Sequence, residues 1–242
     1  MCTVTFIPVK DKFFITSNRD EKARRKQAIP PKRYKHGDIT LIYPKDADAG
    51  GSWIAMRNDG DAAVLLNGAF IKHIPMPPYK RSRGNIFLEV IAGNMPVRKF
   101  LRIDLFNIEP FTLILFEDNN LYECRWDGNK KYCKQLENYR PHIWSSATLY
   151  DEEVVKKREY WFLKWLNKNP NPTQQDILHF HQFAGDGDKH NDLRVNRDGK
   201  LFTVSVTGIK LNAEKGTMRY LDLKDNMVYR QEIEFVSSNL LA

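Results

Sequence analysis

The sequence predicts an α+β protein in which antiparallel sheets pack between helical layers. Short β-rich runs joined by tight turns fill the first third, the middle and the C-terminal end of the 242 residues. Helical patterns are grouped instead of alternating with each strand. There is no internal repeat, low-complexity tract or long linker, so one domain over 1–242 is expected.

In order, Cys2 to Pro8 and Lys12 to Ser17 read as strands joined by a tight turn at Lys10 and Asp11. The polar, proline-bearing stretch from Glu21 to Asp48 reads as loop with one strand near Ile39 to Tyr43. Ser52 to Met56 and Asp61 to Leu66 flank Asn58-Asp59-Gly60, a strong hairpin turn signal. Asn85 to Asn94 and Val97 to Ile103 read as helices separated by Met95-Pro96, because proline restricts the residue before it. Thr112 to Glu117, Leu121 to Trp126, Lys131 to Leu136 and Ile143 to Ala147 read as strands. Asp151 caps a long helix to about Lys168, with Val154, Val155, Trp161, Phe162 and Trp165 as its buried stripe. Thr173 caps another helix through Phe183, and strands over Lys200 to Gly208, Thr217 to Leu223 and Met227 to Phe235 finish the chain.

Composition excludes several classes. Apolar residues make up 42% and charged residues 28%, which a disordered chain does not have. No apolar run approaches the ~18 residues of a membrane span. The N-terminus lacks a secretory pattern, since Lys10, Asp11 and Lys12 end its apolar residues. Cys2, Cys124 and Cys133 have no CxxC spacing and read as reduced thiols of a cytoplasmic protein. The net charge of +8 is concentrated in runs such as Lys22 to Lys26 and Lys80 to Arg83, which read first as solvated loop surface and second as attraction for anionic ligands. No nucleic-acid-binding motif accompanies the charge, so no specific nucleic-acid partner is expected.

Antiparallel geometry makes the N-terminus the most informative stretch. Opposed residues in a hairpin share a constant index sum, here near 20 to 22 for a turn at Lys10 and Asp11. Cys2 then lies opposite Asn18, Arg19 or Asp20, with Cβ atoms ~4.5–5.5 Å apart for a direct pair. Removal of Met1 by aminopeptidases leaves Cys2 with a free α-amine of pKa ~7.7–8.0 beside a thiol of ~8.5. The amine accepts the thiol proton, a nearby arginine favours the thiolate, and a carboxylate orients the ammonium. One residue thereby supplies nucleophile and base for acyl transfer at an amide. The competing readings are a small buried cysteine and a surface ion pair of Arg19 with Asp20.

MCTVTFIP, Asn18-Arg19-Asp20-Glu21, Gly50-Gly51-Ser52-Trp53, and Asn58-Asp59-Gly60 followed by Leu65-Leu66-Asn67 together resemble the NRDE family, which includes the transport and Golgi organisation protein 2 relatives. That resemblance implies a four-layer αββα sandwich of the N-terminal-nucleophile hydrolase type, similar to choloylglycine hydrolases and penicillin V acylases. It also implies Cys2 as nucleophile, Arg19 and Asp20 as the residues that position it, and Asn67 as an oxyanion donor. Asn67-Gly68 is in addition a turn dipeptide. Asn18, Trp53 and Ser146 are the expected substrate-binding neighbours, with Trp53 also a core residue.

Two departures from the hydrolase pattern stand out. HIWSSAT places Ser145 or Ser146 near a position where those hydrolases carry a second asparagine, and a hydroxyl lacks the reach of an amide. Their C-terminal arginine has no motif here, with Arg194, Arg197 and Lys210 as candidates. The expected function is therefore hydrolysis of a linear amide or related acyl bond, with no cofactor and no metal. The alternative is a non-catalytic binding or trafficking protein for an anionic lipid-like, acyl or haem-like ligand on the same scaffold.

Other signals read as structural. His179 and His181 point to different helix faces and are poorly placed to share a metal. Cys124 and Cys133 read as packing thiols on two strands, and Gly185-Asp186-Gly187-Asp188 reads as a loop.

Overall fold

The computed structural model describes residues 3–235. Its first hairpin joins β1 (Thr3–Val9) and β2 (Lys12–Lys22), so β2 runs five residues past the predicted end and carries the Asn-Arg-Asp-Glu tetrad inside a strand. Flanked by β10 (His142–Ser145) on one side, this hairpin continues on the other into β12 (Leu201–Leu211), β13 (Lys215–Asp222) and β14 (Met227–Glu234), while the short β11 (Asn196–Arg197) pairs with β12. All of these pairings are antiparallel.

The second sheet is a meander in chain order: β3 (Ile29–His36), β4 (Ile39–Lys45), β5 (Ile54–Arg57), β6 (Ala62–Asn67), β7 (Phe111–Glu117), β8 (Asn120–Trp126) and β9 (Lys131–Leu136). Strand β3 corrects the expectation of a loop. Its sequence IPPKRYKH carries prolines and lysines that argue against a central strand, but β3 lies at the sheet edge, where an unpaired side tolerates both.

Helices α1 (Arg83–Ile91) and α2 (Pro96–Arg102) lie against β6, β7 and β8. On the first sheet, α4 (Gln174–Phe183) packs against β2 and β12, and α3 (Glu152–Lys168) against β10. The result is the expected four-layer αββα arrangement. Both predicted caps form: Asp151 accepts from the Val154 N–H, and Thr173 shares a capping box with Asp176.

Four layers bury each sheet on both faces, and strand alternation records the two environments. Val4, Phe6 and Ile15 join the core between the sheets, with Leu41, Ile54 and Leu113 from the facing sheet. Ile7 and Phe14 turn the other way, onto Phe162, Ile177 and Phe180 of α3 and α4. Among the helix-facing polar positions, Thr3, Thr5, Asn18 and Asp20 each have a hydrogen-bond partner, as burial demands. Of the predicted α3 stripe, Val154 and Phe162 are buried, Val155, Trp161 and Trp165 are partly buried, and Arg158 joins them at 0% exposure.

Candidate active site

Thr3 lies opposite Asn18, an index sum of 21 within the predicted range. Cys2 lies outside the described residues. Beyond Thr3, the direction of each side chain follows from alternation. Asn18 and Asp20 face the helices, whereas Arg19 faces the space between the sheets.

There Arg19 forms the floor of a cleft of about 540 Å³ together with Trp53, Leu65 and Asn67. Its guanidinium stacks over the Trp53 ring at 4.6 Å and donates to Asp46 Oδ2 at 2.7 Å. Arg19 is 2% exposed, and its Nε has no hydrogen-bond partner among the described residues; neither has Trp53 Nε1. Trp53 thus serves as core and as cleft wall at once.

The Gly50-Gly51-Ser52-Trp53 motif explains how Asp46 reaches Arg19. Gly50 adopts φ +71°, a conformation glycine takes at little cost, which closes a turn in which the Gly50 N–H donates to the Asp46 carbonyl and the Asp46 N–H to that of Gly51. Gly51 allows close approach to α1: a Cβ there would sit 2.4 Å from the Gly84 carbonyl carbon. In this turn Asp46 Oδ1 accepts from the N–H groups of Asp48 and Ala49, and Oδ2 accepts from Arg19 and Arg25. Burial works against the charged form of Asp46, but the Ala49 N–H and the two guanidiniums outweigh it and hold the carboxyl below its ordinary range.

The outer wall comes from Tyr79 to Gly84. The basic run Lys80-Arg81-Arg83, read from sequence first as solvated surface, lines this wall with carboxylate partners: Lys80 with Asp104 at 3.5 Å, Arg81 with Glu89 at 2.5 Å and Arg83 with Glu109 at 3.0 Å.

Asn67 ends β6 at the cleft margin, and Gly68 follows it at φ +80°, in the left-handed region that favours glycine. Fully buried Ser146 does not line the cleft. Its hydroxyl donates to the Asn67 carbonyl at 2.9 Å and pairs with the Thr148 hydroxyl at 2.9 Å.

On the helix face, Asp20 Oδ2 accepts from the Tyr150 hydroxyl at 2.7 Å and Oδ1 from the Thr203 hydroxyl at 2.6 Å. Asn18 has no exposure and lies away from the cleft. Its amide nitrogen donates to the carbonyls of His181 and Leu193, which leaves Oδ1 to accept from His181 Nδ1. The neutral imidazole then accepts at Nε2 from the Thr5 hydroxyl. Burial, and secondarily the charge of Arg158, push the His181 pKa down to about 3. Among the described residues no three His, Cys, Asp or Glu side chains converge as a metal site, and no helix is long and apolar enough to cross a membrane.

Arg158 is the residue that sequence reasoning missed. From the middle of α3 it donates to the Thr3 hydroxyl at 2.5 Å and to the carbonyls of Asn191 and Asp192, with its guanidinium 3.6 Å from the Tyr150 ring centre. A single arginine in a helix reads as solvated. Only its place in the Val154–Phe162 stripe, four residues from each, signalled burial. Of the C-terminal candidates, Arg197 also approaches Tyr150, its guanidinium 5.2 Å from the ring centre.

The layers, the hairpin at the N-terminus and the cleft beside it define the N-terminal-nucleophile hydrolase fold. Solved structures agree. A Caenorhabditis elegans N-acylethanolamine-hydrolyzing acid amidase ortholog matches with a TM-score of 0.57 at 13% identity, over 86% of this chain and 92% of that one. A variant of the conjugated bile acid hydrolase from Clostridium perfringens matches with 0.57 at 9% identity over the whole of both chains, and a second mutant of it with 0.51 at 10% over 96% of each. No curated protein sequence matches the chain significantly. The sequence matches the Transport and Golgi organisation 2 family over residues 1–212, and the chain belongs to that family.

Proposed function

We propose that the protein is an amide hydrolase whose nucleophile is the thiol of Cys2, exposed as the N-terminal residue once Met1 is removed. The observation that carries this reading is the hairpin register: Thr3 lies opposite Asn18, and Arg19, the next residue of β2, lines the cleft. Arg19 Nε, without a hydrogen-bond partner among the described residues, is in this reading a donor for the thiolate.

In the reaction, the α-amine takes the thiol proton and the thiolate attacks the amide carbonyl carbon. The Asn67 side chain faces the oxyanion. Collapse breaks the C–N bond, the ammonium returns its proton to the leaving amine, and a thioester remains. Water then attacks with the amine as base, releasing the acid and restoring the thiol. Asp20 acts from the helix face, where its two bonds to Tyr150 and Thr203 fix the strand that carries Arg19.

Intact mass, followed by turnover of a panel of N-acyl amides, tests this. A chain lacking one methionine, a thioester adduct on Cys2, and loss of turnover in Cys2→Ala support it. Retention of Met1 or full activity of Cys2→Ala overturns it.

A second reading has its own support. Five basic side chains, Arg19, Arg25, Lys80, Arg81 and Arg83, line the cleft, and the Ser146 hydroxyl is already engaged by Asn67. That arrangement suits retention of an anionic lipid-like, acyl or haem-like ligand without turnover. A fatty-acid probe whose affinity is indifferent to Cys2→Ala but falls in Lys80→Ala/Arg81→Ala supports this alternative.

A further inference from the structure

Cys124 and Cys133 are directly opposed on β8 and β9, with their sulfurs 3.1 Å apart and both thiols free. Their pair type follows from the turn. The Asp127 N–H donates to the Lys130 carbonyl, so 127 and 130 form a hydrogen-bonded pair. Such pairs alternate with non-hydrogen-bonded ones along an antiparallel ladder, which makes 126–131 non-bonded, 125–132 bonded and 124–133 non-bonded. The Cα atoms of a non-bonded pair are ~4.5 Å apart and the side chains are at their closest. That separation lies inside the ~4.4–6.8 Å range a disulfide bridges.

The two thiols differ as a reactive pair requires. Cys124 is fully buried in the core, whereas Cys133 is exposed on the outermost strand of its sheet. Hydrogen bonding by the Cys124 S–H to the Cys133 sulfur favours thiolate at Cys133, and the same bond, with burial, disfavours it at Cys124.

We propose that Cys124 and Cys133 are a peroxide-responsive dithiol that forms a reversible cross-strand disulfide. The Cys133 thiolate attacks one oxygen of hydrogen peroxide, the O–O bond breaks, and the departing hydroxide takes up a proton to leave as water, giving sulfenic acid at Cys133. The Cys124 sulfur then attacks that of Cys133. The S–S bond forms as the S–O bond breaks, and the released hydroxide takes the Cys124 proton as a second water. Two thiols and one peroxide become one disulfide and two waters. A dithiol reductant reverses the change through a mixed disulfide.

The test uses full-length protein treated with a slight excess of hydrogen peroxide, then intact mass and tryptic mapping. The proposal expects a loss of about 2 Da, from two hydrogens, and one crosslinked species joining peptides 103–125 and 132–134, both reversed by dithiothreitol. Cys133→Ser, altered at an exposed site, is expected to lose the crosslink, and Cys2→Ala to keep it. Oxygen adducts on Cys133 without the crosslink, or a crosslink through Cys2, overturn the proposal.

Discussion

The Ser146 hydroxyl donates to the Asn67 carbonyl oxygen across 79 positions of sequence, tying the segment after β10 to the end of β6. Asn67 is thereby held from behind while its side chain borders the cleft. Ser146→Ala leaves that carbonyl without its hydroxyl donor. Loss of a neutral buried hydrogen bond costs ~1–2 kcal/mol, so denaturant unfolding should show a lower midpoint at unchanged slope. If Asn67 is an oxyanion donor, kcat should fall in this variant while KM changes little.

Arg19 and Asp20 are neighbours on β2 that act on opposite faces. Arg19→Gln removes the cation facing the cleft but spares the Asp46–Arg25 pair. If Arg19 favours the Cys2 thiolate, alkylation of Cys2 by iodoacetamide at neutral pH should slow in this variant, by up to about tenfold for each unit by which its pKa rises. Cys133 in the same sample provides the internal reference. An unchanged rate at Cys2 removes Arg19 from that role.

Much of the architecture was legible because local signals agreed with the global pattern. The Asn58-Asp59-Gly60 turn, the Asp151 and Thr173 caps, and the spacing of Lys10-Asp11 from Asn18 each determine a nearby geometry. Strand β3 was hidden because edge position, which licenses its prolines, is a tertiary property. The same holds for the site. Arg19, Trp53 and Asn67 were named from motifs and meet at one cleft. Asn18 was named with them, yet alternation turns it to the helices and spends its amide on His181 and Leu193. Asp46 and Arg158 carry no motif, and only the packing of distant elements brings them to Arg19 and Thr3.

Arg158 anchors the first described residue of β1 through the Thr3 hydroxyl. Arg158→Met keeps much of the aliphatic volume but removes the donors to Thr3, Asn191 and Asp192. Leaving several buried acceptors unpaired should cost on the order of 3 kcal/mol. Chemical denaturation measures that cost. Hydrogen exchange should rise first at the Thr3 end of β1 if the anchor is local.

Gly51 admits no side chain. A Cβ there would meet the Gly84 backbone at 2.4 and 2.8 Å, and backbone of α1 does not yield as a side chain does. Gly51→Ala is expected to destabilise by ~3 kcal/mol through overpacking. It should also shift Asp46 relative to Arg19, because the Gly51 carbonyl accepts from the Asp46 N–H. Gly50→Ala, whose Cβ would make only an ordinary 3.9 Å contact with Lys45 Cε but which stands at φ +71°, should cost less, about 1 kcal/mol. A thermal denaturation series ranks the two.

His181 and Asp61 make opposite contributions to acid stability. The folded His181 pKa is pushed down to about 3, chiefly by burial, against ~6.5 in the unfolded chain. The unfolded state binds the extra proton between those values, so this group's contribution is complete above pH ~6.5 and falls by ~1.4 kcal/mol per unit as pH drops. Burial first, then the charge of Asp59, raises Asp61 to about 6. Its folded form takes the proton earlier than the unfolded form, a contribution present below pH ~3.9 and lost as pH rises to about 6. Between pH 6 and 4 the two slopes cancel. Asp61→Asn should therefore expose the His181 dependence, making stability fall more steeply with acid than in the unmodified protein. His181→Gln should do the reverse: its deficit at pH 7 should shrink as pH falls below 6.5. Urea unfolding at half-unit steps from pH 7 to 4 reads both slopes, and parallel curves for all three proteins would show that neither group titrates as its surroundings dictate.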